Sequence, residues 1–239
     1  MFRFKQFTIQ QDQTAMKVCT DACVLGAYAN VSGKRLLDIG TGTSLLALMA
    51  AQRNPSLHVD AVEVDESAFQ QASANVAKSP FADRVTIFHS RIQDFTLTPE
   101  GRENGSRGYD RILTNPPFYT NHLRSPDAAV NRALHTDELP FSELIESVVR
   151  LLQPDGQWWV LLPPYEAGKL ASMAEFQGLK IFQRLQLRHH ANKPIFRVIT
   201  GFSMVATGVT NDVLDIYEPD GRTYTSAFRA LLRDFYLLF

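Results

Sequence analysis

The stretch Leu37-Asp38-Ile39-Gly40-Thr41-Gly42-Thr43-Ser44 decides the fold. A short, mostly apolar run (35–39) ends at two glycines, and a helical stretch (45–53) follows at once. Glycines at such a junction let the backbone turn sharply at the strand's carboxyl edge and bring a ligand close to main-chain N–H groups. Downstream the alternation repeats, with strands over 58–64, 85–88, 109–114 and 157–162. Helices fall over 67–78 and over 139–152, the second closed by Pro154-Asp155-Gly156. Strands alternating with helices of this length imply right-handed crossovers and an α/β, doubly wound, mostly parallel sheet. The tail departs from the pattern. Segments 179–188 and 195–205 flank Ala191-Asn192-Lys193-Pro194 and read as an antiparallel hairpin. A further hairpin-like piece (214–224, turning at Pro219-Asp220-Gly221) precedes a short helix from Ser226. Upstream, Phe2, Phe4, Phe7 and Ile9 alternate with polar residues as an extended arm, and 21–28 reads as a helix capped by Thr20 or Asp21.

These 239 residues fit one α/β domain. It divides into an arm and helix (1–34), a core (35–205) and a C-terminal hairpin and helix (206–239). A formal net charge of −1 argues against a sequence-independent DNA binder and confines any RNA surface to a local basic patch. Cys19 and Cys23, alone of their type, cannot complete a zinc site and read as small buried thiols on a helix, so no metal is expected. The opening residues lack an apolar signal core, and no run approaches the ~20 apolar residues of a membrane span. A cytoplasmic setting without a membrane partner follows as the expectation. Residues 98–108, rich in Gly, Glu, Arg, Asn and Ser, read as a solvated loop.

Two cofactor classes share a glycine turn after the first strand. A dinucleotide site wants G-x-G-x-x-G, so that a helix N-terminus receives the pyrophosphate. Position 45, where the third glycine would fall, is Leu. Asp38 before the turn would repel a diphosphate but suits a cationic ligand, such as a sulfonium methyl donor with an amino-acid tail. Glu63 at the end of the second strand stands where a carboxylate accepts both hydroxyl protons of a ribose. A glycine turn with no ligand gives the same local pattern.

The chemical signal is Asn115-Pro116-Pro117-Phe118, at the carboxyl end of the fourth strand. An exocyclic amine on a nucleobase is a poor nucleophile because its lone pair is delocalised into the ring. An Asn side-chain oxygen and the next carbonyl each accept one amino hydrogen, which favours a pyramidal nitrogen and stabilises the positive charge developing on it. Prolines stiffen the segment and remove competing N–H donors. Phe118 offers a flat face to an unstacked base.

With both motifs in place, the chain resembles the amino-methyltransferases of the Rossmann-like class I family. Among them it is similar to the bacterial tRNA(Val) adenine-N6 methyltransferases, which modify the adenine 3′ of the anticodon. The resemblance runs through Met16 to Ala22, Leu37 to Thr43, Ala61 to Asp65, Tyr109 to Tyr119, and Lys193-Pro194 with Arg197. It implies S-adenosyl-L-methionine as cofactor and tRNA as partner. Lys17 to Asp21 would wrap over the donor's methionine end with Thr20 in contact. Asp38, Gly40, Thr41 and Gly42 would line the donor, Glu63 would hold the ribose, and Asn115 to Phe118 would present the amine. Two positions depart from the family pattern. Ser44 occupies the third small position of the loop. Arg91 stands where relatives place an Asp for the donor's adenine, which leaves Asp94 or the backbone around Ile92 to take over.

Basic residues that would meet RNA are Arg3 and Lys5, Arg124 and Arg132, and the tail cluster Arg184, Arg188, His189, His190, Lys193 and Arg197. The competing readings are an rRNA guanine-N2 enzyme, a protein glutamine-N5 methyltransferase and a non-catalytic donor- or RNA-binding module. The glutamine enzymes usually carry a helical domain before the core, and 34 residues precede the first core strand here. DNA is not expected, since no separate recognition domain fits the length. Intact Asn115 and Phe118 argue against a module without turnover.

Overall fold

The computed structural model describes residues 1–14, 16–97, 108–116 and 139–239. Among these, eight strands form one sheet in the order β10-β8-β9-β7-β6-β3-β4-β5. They are β3 (Arg35–Ile39), β4 (His58–Glu63), β5 (Val85–His89), β6 (Tyr109–Thr114), β7 (Leu152–Leu162), β8 (Lys180–Arg188), β9 (Ile195–Ser203) and β10 (Thr210–Asp215). From β3 the chain steps outward through β4 to β5, then returns to β6 and β7 on the other side. All these pairings are parallel, and the reversal of direction between β3 and β6 is the switch point where such sheets open a crevice. The tail β9 runs antiparallel to both β7 and β8.

Side-chain alternation divides the interior into two cores. Along β7, Trp158, Val160 and Leu162 enter one core, and Trp159 and Leu161 the other. The first core lies under α4 (Phe141–Leu151) and α5 (Pro164–Phe176). The second lies under α1 (Thr20–Tyr28), α2 (Leu45–Arg53), part of α3 (Glu66–Ala77) and α6 (Ser226–Leu232). The Trp158 indole donates to Thr114 Oγ1 at 3.1 Å, which satisfies its one polar atom and pins β7 to β6 beside Asn115. The arm forms a two-stranded ribbon, β1 (Phe2–Arg3) with β2 (Thr8–Ile9), whose Phe4 and Phe7 are buried and stacked at 4.7 Å. Asn75 exchanges both bonds with Gln10 of the arm and donates to the Thr43 carbonyl at 3.0 Å. One buried amide thus ties the arm and α3 to the glycine turn.

Four expectations change. Helix α1 begins at Thr20 with Cys19 as its cap residue and no side-chain cap bond; Asp21 instead turns inward to Arg197, at 2.9 Å. Strand β7 starts at Leu152, directly after α4, so Pro154-Asp155-Gly156 is an irregularity within it rather than a helix stop. Helix α5 was not expected. Its buried stripe is Ala167, Leu170 and Ala174, with one large apolar side chain, while Tyr165 and Phe176 face solvent and blur the 3.6 period. Finally, β10 is a parallel neighbour of β8, and the expected last hairpin is reduced to one bridge, Tyr217 with Tyr224. The Arg188 guanidinium grips Asp215 through two bonds, of 2.7 and 2.9 Å, and locks that pairing. Residues 98–107 of the loop segment lie outside the described residues.

Ser44 is the one described non-glycine with positive φ, at 66°, and it is fully buried with no hydrogen bond to its Oγ among the described residues. A left-handed residue with a Cβ costs about 1–2 kcal/mol, and glycine gives back about 0.5–1 through the unfolded chain. Ser44→Gly is therefore expected to stabilise the protein by about 1 kcal/mol, read as a higher urea midpoint at unchanged slope. An unchanged or lower midpoint would show that the turn carries no strain.

Candidate functional site

At the switch point, the carboxyl ends of β3, β4 and β6 and the turn after β5 open onto one cavity of about 820 Å³. Gly40 and Gly42 adopt φ of 68° and 57°, and a Cβ built on either meets nothing within 4 Å. The left-handed backbone requires glycine there, and the space it leaves belongs to the cavity.

Two buried carboxylates hold the turn in place. Glu63 Oε2 accepts from the Gly42 N–H at 2.8 Å, and Oε1 accepts from the N–H groups of Val64 and Asp65 at 2.9 and 3.0 Å. Burial raises its pKa, and these three donors oppose the shift. Asp38 is wholly buried beneath the turn. Its Oδ2 accepts from Thr41 Oγ1 at 2.6 Å and from the Ala47 N–H at 3.2 Å. Its Oδ1 is buried without a partner among the described residues. Burial, with Glu63 nearby, pushes the Asp38 carboxyl up to about 7.

Of the residues expected to act, Lys17, Gly40, Thr41, Gly42, Glu63, Ile92, Asn115 and Pro116 line this cavity together. Thr20, Asp38, Asp94, Lys193 and Arg197 are not among its lining residues. Thr20 starts α1, and Asp94 faces solvent on the far side of the turn that follows β5. Arg197 packs over Phe196 and pairs with Asp21, joining β9 to α1. Lys193 is exposed at the β8–β9 turn. Pro117, Phe118, Arg124 and Arg132 lie outside the described residues.

The cavity also contains residues that sequence reading missed. Gln93, at the β5 end, donates to Glu143 Oε2 in the first turn of α4, at 2.7 Å. Leu139 and Pro140 complete that wall. Fifty positions separate the bonded pair, and no local periodicity signals such a contact.

Residues 22–181 match the family model described as the methyltransferase small domain. The chain belongs to that family. Along its whole length it is also 47% identical to a Dyadobacter fermentans protein named tRNA1(Val) (adenine(37)-N6)-methyltransferase, covering 98% of that relative. A Pedobacter heparinus protein of the same name is 41% identical, again over 100% of this chain and 98% of the relative. These identities place the chain within the tRNA1(Val) adenine-N6 branch of the methyltransferases. The fold alone is shared with a structure from Agrobacterium tumefaciens described as a predicted O-methyltransferase. The TM-score is 0.69 at 14% identity, over 90% of this chain and 96% of that one.

In this methyltransferase, Asp38 links pH to stability. Its folded pKa lies above the unfolded value, so the native state holds the extra proton and stability falls as pH rises from about 4 towards 7. Glu63 acts in the same direction. Compared with Asp38→Asn, the wild type should lose up to about 1.4 kcal/mol per pH unit across that window in denaturant titrations. A constant difference between the two proteins from pH 4.5 to 7.5 would remove the buried, protonated Asp38.

Proposed function

We propose that this chain transfers the methyl group of S-adenosyl-L-methionine to the exocyclic N6 of adenine 37 in tRNA1(Val). One observation carries the mechanism: Asn115-Pro116 opens into the same cavity as the glycine turn and Glu63. The name shared by full-length relatives supports the substrate.

The residues present fit the donor. The orphaned Asp38 Oδ1, buried beneath the turn, suits the cationic amino-acid end of the ligand. Gly40 and Gly42 let a ligand lie against the backbone, and Lys17 to Cys19 close the cavity from the α1 side. Glu63 spends three acceptor positions on N–H groups; a carboxylate has about four, so capacity remains for a ribose hydroxyl. When bound, the donor supplies an electrophilic sulfonium methyl.

At the amine, the Asn115 side-chain oxygen and the Pro116 carbonyl accept the two amino hydrogens. They turn the nitrogen lone pair towards the methyl and stabilise the charge that develops as the N–C bond forms. Phe118 provides the stacking face for the flipped base. Lys193, exposed at its turn, meets an RNA phosphate; Arg197 acts mainly by holding α1 through Asp21. Among the described residues no helix is long and apolar enough to cross a membrane. The proposed compartment is the cytoplasm, where tRNA is modified.

Asn115→Ala is expected to retain donor binding by calorimetry while methyl transfer to tRNA falls by a factor of about 100 or more, equivalent to about 3 kcal/mol. Unchanged turnover would sink the proposed role of Asn115. The substrate is tested separately by nucleoside mass spectrometry. Total tRNA from cells lacking the gene should lose N6-methyladenosine, and loss of N2-methylguanosine from rRNA in its place would overturn the tRNA assignment.

A further inference from the structure

The cavity has an end that the proposed catalytic chemistry does not use, beyond Glu63 in the direction of β5. There Val64 is exposed by 52% of its surface although it directly follows the last, buried residue of β4. It faces into the cavity together with Ile92, Leu139 and Pro140. An apolar side chain left open in a concave site needs a partner, and this grouping makes a slot with aliphatic walls. Its polar rim includes the bonded Gln93–Glu143 pair, and Arg91 lines the same cavity.

The slot is built rigidly. Arg150 of α4 donates to the carbonyls of Phe95, Ile92 and Gln93 at 2.6, 3.1 and 3.3 Å, which clamps the turn after β5 against the helix. Gln93 Nε2 bonds Glu143 Oε2 from the same turn, so the carboxylate has a fixed orientation and three of its roughly four acceptor positions remain beyond that bond. An aliphatic slot rimmed by an oriented carboxylate accepts a flat heterocycle that carries an amino group at its edge.

Position in the sheet assigns that heterocycle to the donor and not to the RNA. The order β6-β3-β4-β5 carries Asn115, the glycine turn, Glu63 and the slot in succession. Neighbouring strands are about 4.8 Å apart, so the slot lies about 14 Å from Asn115. From the glycine turn outward, the amino-acid tail, the ribose and the base would follow in the covalent order of the donor, with the sulfonium methyl between tail and ribose. We infer that Glu143, oriented by Gln93, reads the exocyclic amine of the donor's adenine, the role that Arg91 and the outward-facing Asp94 leave open. This inference rests on the donor assignment proposed above.

The test is isothermal titration of the full chain with S-adenosylhomocysteine and with S-inosylhomocysteine, in which a carbonyl replaces the amine. Wild type should prefer the amine by about tenfold or more, as expected for a bond to a charged acceptor. Glu143→Ala should reduce that preference to within about twofold while still binding both ligands. Gln93→Ala, which leaves the carboxylate in place but frees its orientation, should reduce it partly. Equal affinities in wild type would overturn the assignment without any mutant, as would a full preference surviving in Glu143→Ala. If wild type bound neither ligand, the donor assignment itself would fall, and the inference with it.

Discussion

Glu63 is the interaction on which the site depends. Its two oxygens take main-chain N–H groups from both sides of the crevice, Gly42 on the turn after β3 and Val64 and Asp65 after β4. Those donors lie past the strand ends, where no ladder partner satisfies them, and a buried unpaired N–H costs about as much as a lost hydrogen bond. The carboxylate therefore closes the top of the β3–β4 pair. It also fixes the path of a turn whose glycines supply no side chain to hold it.

A second carboxylate works from below. Asp38 binds Thr41 and the Ala47 N–H, so the turn lies between two acidic side chains, one at the strand end and one under it. Burial in this dry environment disfavours the charged form of each, which is why both are pushed upward, with Glu63 adding to the shift at Asp38. Burying two carboxyls in this way costs stability. Local strain and repulsion at a site, offset by packing elsewhere, is the common pattern for groups poised to bind. Here the offset comes from the two cores and from Asn75, which fixes the turn's outer side through Thr43.

Much of this was legible in the sequence because the determinants are local. A β3–turn–α2 unit is encoded within 19 consecutive residues, 35–53, and its strand period, glycines and helix period all agree. Alternation in β7 likewise follows from two adjacent indoles that must face opposite cores. Helix α5 escaped because two of the three residues on its buried stripe are alanines, which pack without leaving a strong apolar signature. Strand β10 escaped because its pairing is set by a distant ion pair, Arg188 with Asp215, while its own exposed residues read as a surface hairpin. The cap of α1 was misjudged for a similar reason: Asp21 suits a cap by type, but Arg197, far along the chain, claims it.

The same division applies within the site. Residues that shape the cavity through backbone geometry, such as Gly40 and Gly42, declare themselves because few alternatives can adopt their φ. Residues that act through a side chain need only arrive at the right place, and any element can deliver them. When Arg91 occupies a position that suits an acid, inspection of its chain neighbours finds Asp94, three residues on. The turn that places Ile92 in the core directs Asp94 to solvent, because Asp94 and Phe95 both donate back to the Arg91 carbonyl and wind that segment tightly. The acid that lines the cavity beside Gln93 comes instead from the first turn of α4, 50 residues further on. Docking that turn of α4 against Gln93 requires the Arg150 clamp and the packing of Leu144, Ile145 and Val148 into the core shared with Ile92 and Phe95. The acidic wall at the β5 end of the cavity is therefore a product of tertiary packing, and it persists only as long as that core does.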